Sequence, residues 1–379
     1  MQAVTLSLAD ARHPLYERLS ELGIPGNKTE QYKNFAIKPL LAKEYAFKEA
    51  KQVEPKEGSR VVIENGVVVE SPKNVKISFE EDFKADEEHY DALYFMSHVL
   101  SKSVIRLEID ADAVVEIEHR ISEKERLFAY RLCVTTPPNG RVEIMETFDI
   151  KESQNALLLY GVDAEVARDA TLRWVRHENA EIDNAVVIGS HRYNVAKQGA
   201  IELKTFDFGS GLALHLYKID LDNYAWTDAQ HLLLATKEAR RGNVVHINHN
   251  QPYAKSVHEA RAILKDKATG IFDGKIMVGH EAKYSNAKQN SKAILLGEHA
   301  HMYAKPQLEI YTDELEASHG STIGQLEEET LFYLRSRGVG LDDAKKMLVL
   351  AFANTLIETL GEGEAFEKIH ADFEAAYYV

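Results

Sequence analysis

The sequence predicts a mainly β protein with helical ends, and three observations carry that expectation. Short β-rich runs recur from Val104 to Tyr311 at a spacing of about 10–16 residues. Gly, Asn or Asp stands between many of them, where turns need those residues. No segment of helical period within that stretch is long enough to serve as a parallel crossover, which argues against a βαβ fold. Two architectures remain open on pattern alone: a large sandwich, or a β-solenoid whose coils cannot each bury a face by themselves. No crisp repeat motif separates them.

The chain enters through a helical region. Leu6 to Leu22 carries Leu, Tyr and Ala at helical spacing and ends at Gly23, before Pro25-Gly26. A polar linker spans Lys51 to Ser59. Arg60-VVIENGVVVE then reads as a hairpin, because Asn65-Gly66 supplies the positive φ angles of a two-residue turn. Glu87 to Leu100 is expected to form one more helix. The β runs follow, namely Val104–Ile109, Val114–Glu118, Leu127–Thr135, Val142–Phe148, Ala156–Leu159, Thr171–Val175, Ala185–Ile188 and Ala200–Phe206. They continue with Leu212–Ile219, His231–Thr236, Asn243–Ile247, Ala260–Leu264, Ile271–Val278, Ala293–Leu296 and Gln307–Tyr311.

Past His319 the chain reads as helical to its end. Thr322-Ile-Gly-Gln325 has the spacing of a capping box. A helix is then expected through Leu326, Leu331, Phe332 and Leu334, with Phe332 and Leu334 packing inside, stopping at Gly338 with Arg335 and Arg337 in its last turn. A second opens at Asp342-Asp343 and ends near Gly361. A third, Glu364 to Tyr377, aligns Phe366, Ile369, Phe373 and Tyr377 on one stripe. The domain reading is thus 1–100 helical with a hairpin, 101–318 β core, and 319–379 helical.

Composition narrows the function classes. The chain has 379 residues, with 60 Asp+Glu against 45 Lys+Arg. That acidic balance, without a basic arm, disfavours nucleic acid, whose binding rests on Lys and Arg neutralising phosphates. No apolar run of about 18 residues marks a membrane span. The first residues lack the charged start and apolar stretch of a secretion signal, so a cytoplasmic location is expected. Cys133 is the single cysteine, which excludes an internal disulfide and a Cys-x-x-Cys site. In RLCVTTPP it reads as a buried thiol acting as a small apolar residue.

Several motifs invite chemistry. Gly270-IFDGK275 is one residue too short for a phosphate loop, and Ile276 stands where Ser or Thr is needed. His246, His249 and His258 cluster in VVHINHNQPYAKSVHEA, but strand alternation points His246 and His249 to opposite faces. Hydrogen bonds between coils are the expected use of these three. His299 and His301 are expected to share a strand face as a surface or stacking pair. His319, in Ser318-His319-Gly320, falls between the Leu308–Tyr311 run and the expected helix start. The residue pattern alone reads it as a structural histidine at a helix entry.

The string PQLEIYTDELEASHGSTIGQLEEETLFYLRSRGVG, residues 306–340, closely resembles the signature of the SufB/SufD family of iron–sulfur cluster assembly proteins, and within it the SufD branch. The resemblance is specific over 244–340, including His249-Asn250, and looser over 27–35, where Tyr32 replaces a usual Trp. It implies a right-handed parallel β-helix core flanked by helical regions. It implies that His319 lies at an interface with a SufB-like subunit, or with a second copy of the chain, beside a nascent iron or iron–sulfur cluster. The cysteine that many SufD proteins carry two positions earlier is Ala317 here. The resemblance further implies a docking face for a SufC-like ATPase on the C-terminal helices, with Gln325, Phe332, Arg335 and Arg337 as partner-binding residues. The chain would then be no enzyme itself and would hold no cofactor tightly alone. A SufB-like homodimeric scaffold is the near alternative. It is disfavoured by the single cysteine and by Ile323-Gly324-Gln325, where SufB proteins have Thr-Ser-Lys. A β-helix enzyme acting on polysaccharide is the distant one.

Overall fold

In the computed structural model, which describes residues 11–378 apart from 27–28, 48, 82, 102, 151–152 and 182–183, the β runs stack as a parallel solenoid of about 7 turns. Residues 1–10, on which the start of the expected first helix falls, and Asn27 and Lys28 lie outside the described residues.

The N-terminal region holds helices α1 (Tyr16–Leu22) and α2 (Ile37–Ala42) and two short strands, β1 (Ala46–Phe47) and β2 (Lys56–Glu57). Gly23 ends α1 with φ 73°, the left-handed exit that glycine makes cheap. The expected hairpin is present: β3 (Val61–Glu64) and β4 (Val67–Ser71) pair antiparallel around Asn65 and Gly66, at φ 50° and 87°. Strand β5 (Val75–Glu80) leads to helix α3 (Ala92–Leu100), shorter than expected because Asp91 caps it by accepting from the Leu93 amide.

The solenoid strands then alternate between two sheets. They are β6 (Val104–Ile109), β7 (Ala113–Arg120), β8 (Arg126–Thr135), β9 (Arg141–Asp149), β10 (Leu157–Val166) and β11 (Thr171–Asn179). Next come β12 (Val186–Val195), β13 (Ala200–Gly209), β14 (Leu212–Leu221), β15 (Trp226–Ala235) and β16 (Arg240–His249). The last are β17 (Lys255–Leu264), β18 (Thr269–Val278), β19 (Ser285–Leu295), β20 (His301–Ile310) and β21 (Leu315–Gly324). Even-numbered strands from β6 to β20 share one sheet and odd-numbered strands from β7 to β21 the other. All pairs within the coils are parallel. The N-terminal hairpin extends the second sheet through β3 and β7, and β5 extends the first through β6, so this region is continuous with the core.

One corner of the coils repeats a residue at positive φ: Asp112, Asn139, Asp169, Gln198, then Tyr224, Tyr253 and Tyr284. The inward faces of both sheets form the apolar core, with Ile117, Ile144, Trp174, Leu203, Tyr193 and Ile247 fully buried. Helix α3, every residue of which is buried, packs on the outer face of the first sheet. Helices α5 (Leu341–Ile357) and α6 (Glu364–Tyr378) cover the second, where Val349, Ile369 and Phe373 meet Val175, Phe208 and Leu234. Their docking is also polar: Arg173 and Lys204 donate to the Leu360 and Thr359 carbonyls at 2.7 and 3.0 Å. His177 Nε2 lies 2.8 Å from Asp372 Oδ2.

Two sequence expectations fail at the C-terminal junction. Thr322 and the residues around it do not cap a helix; they belong to β21, and helix α4 (Glu328–Ser336) starts only at Glu328. The preceding coil decides this, because β19 gives Ser321, Thr322, Ile323 and Gly324 ladder partners that one cap could not match. The β core therefore runs past 318 to Gly324. Phe332 also does not pack inside: it is 74% exposed, and α4 buries no residue. His299 lies in the turn before β20, so it shares no strand face with His301. Among the described residues, no helix is long and apolar enough to cross a membrane.

Candidate functional site

The solenoid ends in an uncovered coil. Strands β20 and β21 are the terminal strands of their sheets, so among the described residues each leaves a row of backbone groups without a neighbouring strand. Tyr303, Ile310, Tyr311 and Ile323 are exposed on this coil. Natural proteins rarely leave such an edge bare without a use for it.

His319 stands in the middle of β21 and is exposed. Its Cα partner on β19 is Gln289, whose partner on β17 is His258. In-register residues of parallel strands share a face. His258 and Gln289, both buried, belong to the inward face, so His319 continues that row to its open end. Gln289 Nε2 donates to the Gly274 carbonyl at 3.0 Å, and its Oε1 lies 3.2 Å from His258 Nδ1. Among the described residues, no hydrogen bond or ion pair holds the His319 ring itself.

Deeper in the lumen lies a charged cluster. Arg176 Nη2 donates to both Asp207 oxygens at 2.8 Å, and Arg241 Nη2 donates to Glu178 Oε1 at 2.6 Å. His215 Nε2 lies 3.0 Å from Glu178 Oε2. Burial raises the Glu178 carboxyl, but Arg241, His215 and Arg176 outweigh it and hold it down at about 2. Glu178, Asp207 and His215 offer ligand atoms within 4.8 Å of one another, the spacing of a metal site. The two guanidiniums already take up both carboxylates, so the cluster is a set of buried ion pairs. Next to it, Trp174 Nε1 donates to Glu146 Oε2 at 2.7 Å and His119 Nε2 lies 2.9 Å from Glu146 Oε1.

The sequence reading missed this interior. Arg176, Glu178, His215 and Asp207 look like the polar positions of half-exposed strands. The available signal was the regular i, i+2 placement of large polar groups beside Trp174 and Tyr217.

The other expected residues are scattered. His246 stacks on Tyr90 at 3.8 Å on the outer face of the first sheet, whereas His249 Nε2 lies 2.8 Å from Ser256 Oγ. Neither meets His319. Gln325, Phe332, Arg335 and Arg337 are all exposed, and the Arg337 guanidinium lies 5.3 Å from the Tyr333 ring centre. Cys133 is buried in β8, and burial pushes its thiol up to about 12.

Comparison with known proteins adds relatives to this geometry. Residues 119–352, more than half of the chain, match the family described as "SUF system FeS cluster assembly, SufBD core domain". The chain is 39% identical over 114 residues to the iron–sulfur cluster assembly protein SufD of Escherichia coli, covering 30% of this chain and 27% of that one. It is 32% identical over 166 residues to a SufBD family protein of Synechocystis, covering 43% of this chain and 36% of that one. It is 24% identical over 235 residues to the chloroplastic protein ABCI7 of Arabidopsis thaliana, covering 60% of this chain and 48% of that one. The aligned stretches thus span less than half of each of these relatives.

Proposed function

Because the chain belongs to the SufB/SufD family of iron–sulfur cluster assembly proteins, we propose that it is a SufD-type subunit. It pairs through the open coil with a SufB-type partner. His319 is its contribution to a shared site for iron or a nascent cluster, which is cargo and not a resident cofactor. A neutral imidazole is an accepted iron ligand, but a cluster needs further thiolate or imidazole ligands. The observation that carries the SufD-type reading is Cys133. The only thiol of the chain is buried and held protonated, so thiolates must come from the partner.

The exposed end of the inward row supports His319 as the meeting point, since a partner closing the coil would bury it. The same closure would cover Tyr303, Ile310, Tyr311 and Ile323. Helix α4, with exposed Phe332, Tyr333, Arg335 and Arg337 and nearby Gln325, is the docking face for a SufC-type ATPase. This subunit then does no chemistry of its own, ATP hydrolysis belongs to that partner, and the complex works in the cytoplasm. Family membership leaves the polysaccharide-enzyme alternative without support.

Co-expression with SufB-type and SufC-type proteins tests the reading. One three-component complex is expected. His319→Ala is expected to leave the complex intact and to lower its iron–sulfur content. Elution of this chain alone, or as a pair of identical copies while the other two elute together, overturns the SufD-type assignment. Undiminished cluster content in His319→Ala returns that residue to a structural role.

A further inference from the structure

Near its N-terminal end the lumen holds a chain of hydrogen-bonded groups that the proposed function leaves idle. His119 from β7, Tyr130 from β8, Glu146 from β9 and Trp174 from β11 are all buried there. Tyr130 Oη lies 2.6 Å from His119 Nδ1, and His119 Nε2 lies 2.9 Å from Glu146 Oε1. Trp174 Nε1 donates to the second Glu146 oxygen at 2.7 Å. Phe148 stacks on the imidazole at 4.6 Å and fixes its plane. Among the described residues, Tyr130 is the one tyrosine whose hydroxyl is bonded to a histidine; the others that are bonded meet a carboxylate or a carbonyl.

The available donors fix where the protons sit. Burial raises the Glu146 carboxyl, but the hydrogen bond and charge of His119, Arg176 and the Trp174 hydrogen bond outweigh it, so it is a carboxylate. A carboxylate only accepts, so His119 Nε2 carries the imidazole proton and Nδ1 is a lone pair. The Tyr130 phenol donates to that lone pair. Burial and the Glu146 charge push the phenol well above its ordinary value, so it keeps its proton at pH 7. A phenol that has lost an electron is a strong acid, and a base within hydrogen-bond reach takes its proton without movement of heavy atoms.

A column of rings leads from this pair toward the open coil. Tyr130 is 6.2 Å from Tyr160, which is 5.1 Å from His191, itself 4.8 Å from Tyr217. Tyr217 is 5.5 Å from His231, and His231 is 5.2 Å from His258. The Tyr160 and Tyr217 hydroxyls have no acceptor among the described residues. Within this column, Tyr130 alone has a base for its proton.

We propose that Tyr130 is a redox-active tyrosine, the residue on which an oxidising equivalent entering the lumen settles. The oxidant is a strong one-electron acceptor of the class that iron and peroxide generate. It takes one electron from Tyr130, directly or through the column, while the hydroxyl proton moves to His119 Nδ1. The products are a neutral phenoxyl radical and an imidazolium held by the Glu146 carboxylate. One electron from a reductant such as ascorbate, with return of the same proton, restores the pair. The inference stands on this geometry and does not depend on the reading of His319.

The test uses the full chain with histidine labelled by nitrogen-15, oxidised by tris(bipyridine)ruthenium(III) made in a light flash with persulfate. Samples are frozen at increasing delays and read by electron paramagnetic resonance. Exposed tyrosines such as Tyr224 and Tyr253 are oxidised too, but their radicals couple at the surface and fade first. A lasting tyrosyl radical is expected, coupled to a nitrogen-15 nucleus through its hydrogen bond. Tyr130→Phe is expected to remove it with an unchanged far-UV spectrum, and His119→Gln to lower its yield by about tenfold or more. The labelled wild type and Tyr130→Phe decide the matter even where His119→Gln fails to fold. A wild-type chain without a lasting radical, as a purely structural network would give, overturns the proposal. So does a lasting radical that lacks the nitrogen coupling or survives in Tyr130→Phe.

Discussion

Arg176 grips Asp207 through both carboxylate oxygens at 2.8 Å inside the solenoid, where neither residue reaches solvent. Such a pair contributes little net stability while whole, because desolvation offsets attraction, yet breaking it strands a buried charge. Asp207→Asn is expected to destabilise the fold by about 3–5 kcal/mol, read as a lower midpoint in urea. A loss below about 1 kcal/mol would mean the cluster is not held as ion pairs.

Asp91 gives a pH dependence of known sign. Burial raises its carboxyl to about 6, against the hydrogen bond from the Leu93 amide and the charge of Arg131. The folded state therefore binds this proton more tightly than the unfolded chain, whose carboxyl titrates near 3.9. The stabilisation is fully present below about pH 4 and is lost as pH rises through 6, on the order of 3 kcal/mol in all. Asp91→Asn keeps an acceptor for the Leu93 amide and removes the titration. The stability of the variant relative to wild type is expected to climb between pH 4 and 6 and then level off. A difference that stays flat across that range contradicts the assignment.

Cys133 is expected to be inert in the native protein. With its thiol pushed up to about 12, almost none is thiolate at pH 8, and its sulfur is buried. Ellman's reagent should release no colour from the folded chain over an hour and one equivalent after guanidinium is added. Rapid native reaction would bring the thiol back as a candidate cluster ligand.

Arg173 tests how the C-terminal helices are held. It donates to the Leu360 carbonyl, just past α5, where a cation meets the negative end of the helix dipole. Arg173→Ala is expected to cost about 1–2 kcal/mol. It should also speed hydrogen exchange across residues 341–378, with β10 to β16 unchanged. Equal exchange in both segments would place the anchor in the remaining contacts, those of Lys204 and His177 and the apolar packing of Val349 and Phe373.

The β runs named from sequence all fall on strands, because Val, Ile and Leu mark the apolar half of each one. Their other halves were less legible. In β12 the run Ala185–Ile188 was visible, while Gly189-Ser190-His191-Arg192 was not, because small and polar residues there serve the lumen and the α3 packing. Strand β21 was lost altogether. Its Ser, Thr and Gly residues mimic a helix start, and what makes them a strand is the ladder to β19 about thirty residues earlier.

The sequence by itself determined the division into β core and helical ends, the Asn65-Gly66 turn, and the presence of a single thiol, too few for a site built from this chain's cysteines alone. It did so because these depend on local φ preferences, periodicity and counting. The tertiary structure alone decided which polar side chains face inward, that His319 ends the row of His258 and Gln289, and that Phe332 lies bare. Those outcomes depend on parallel register between segments far apart in the chain, where one step moves every side chain to the opposite face.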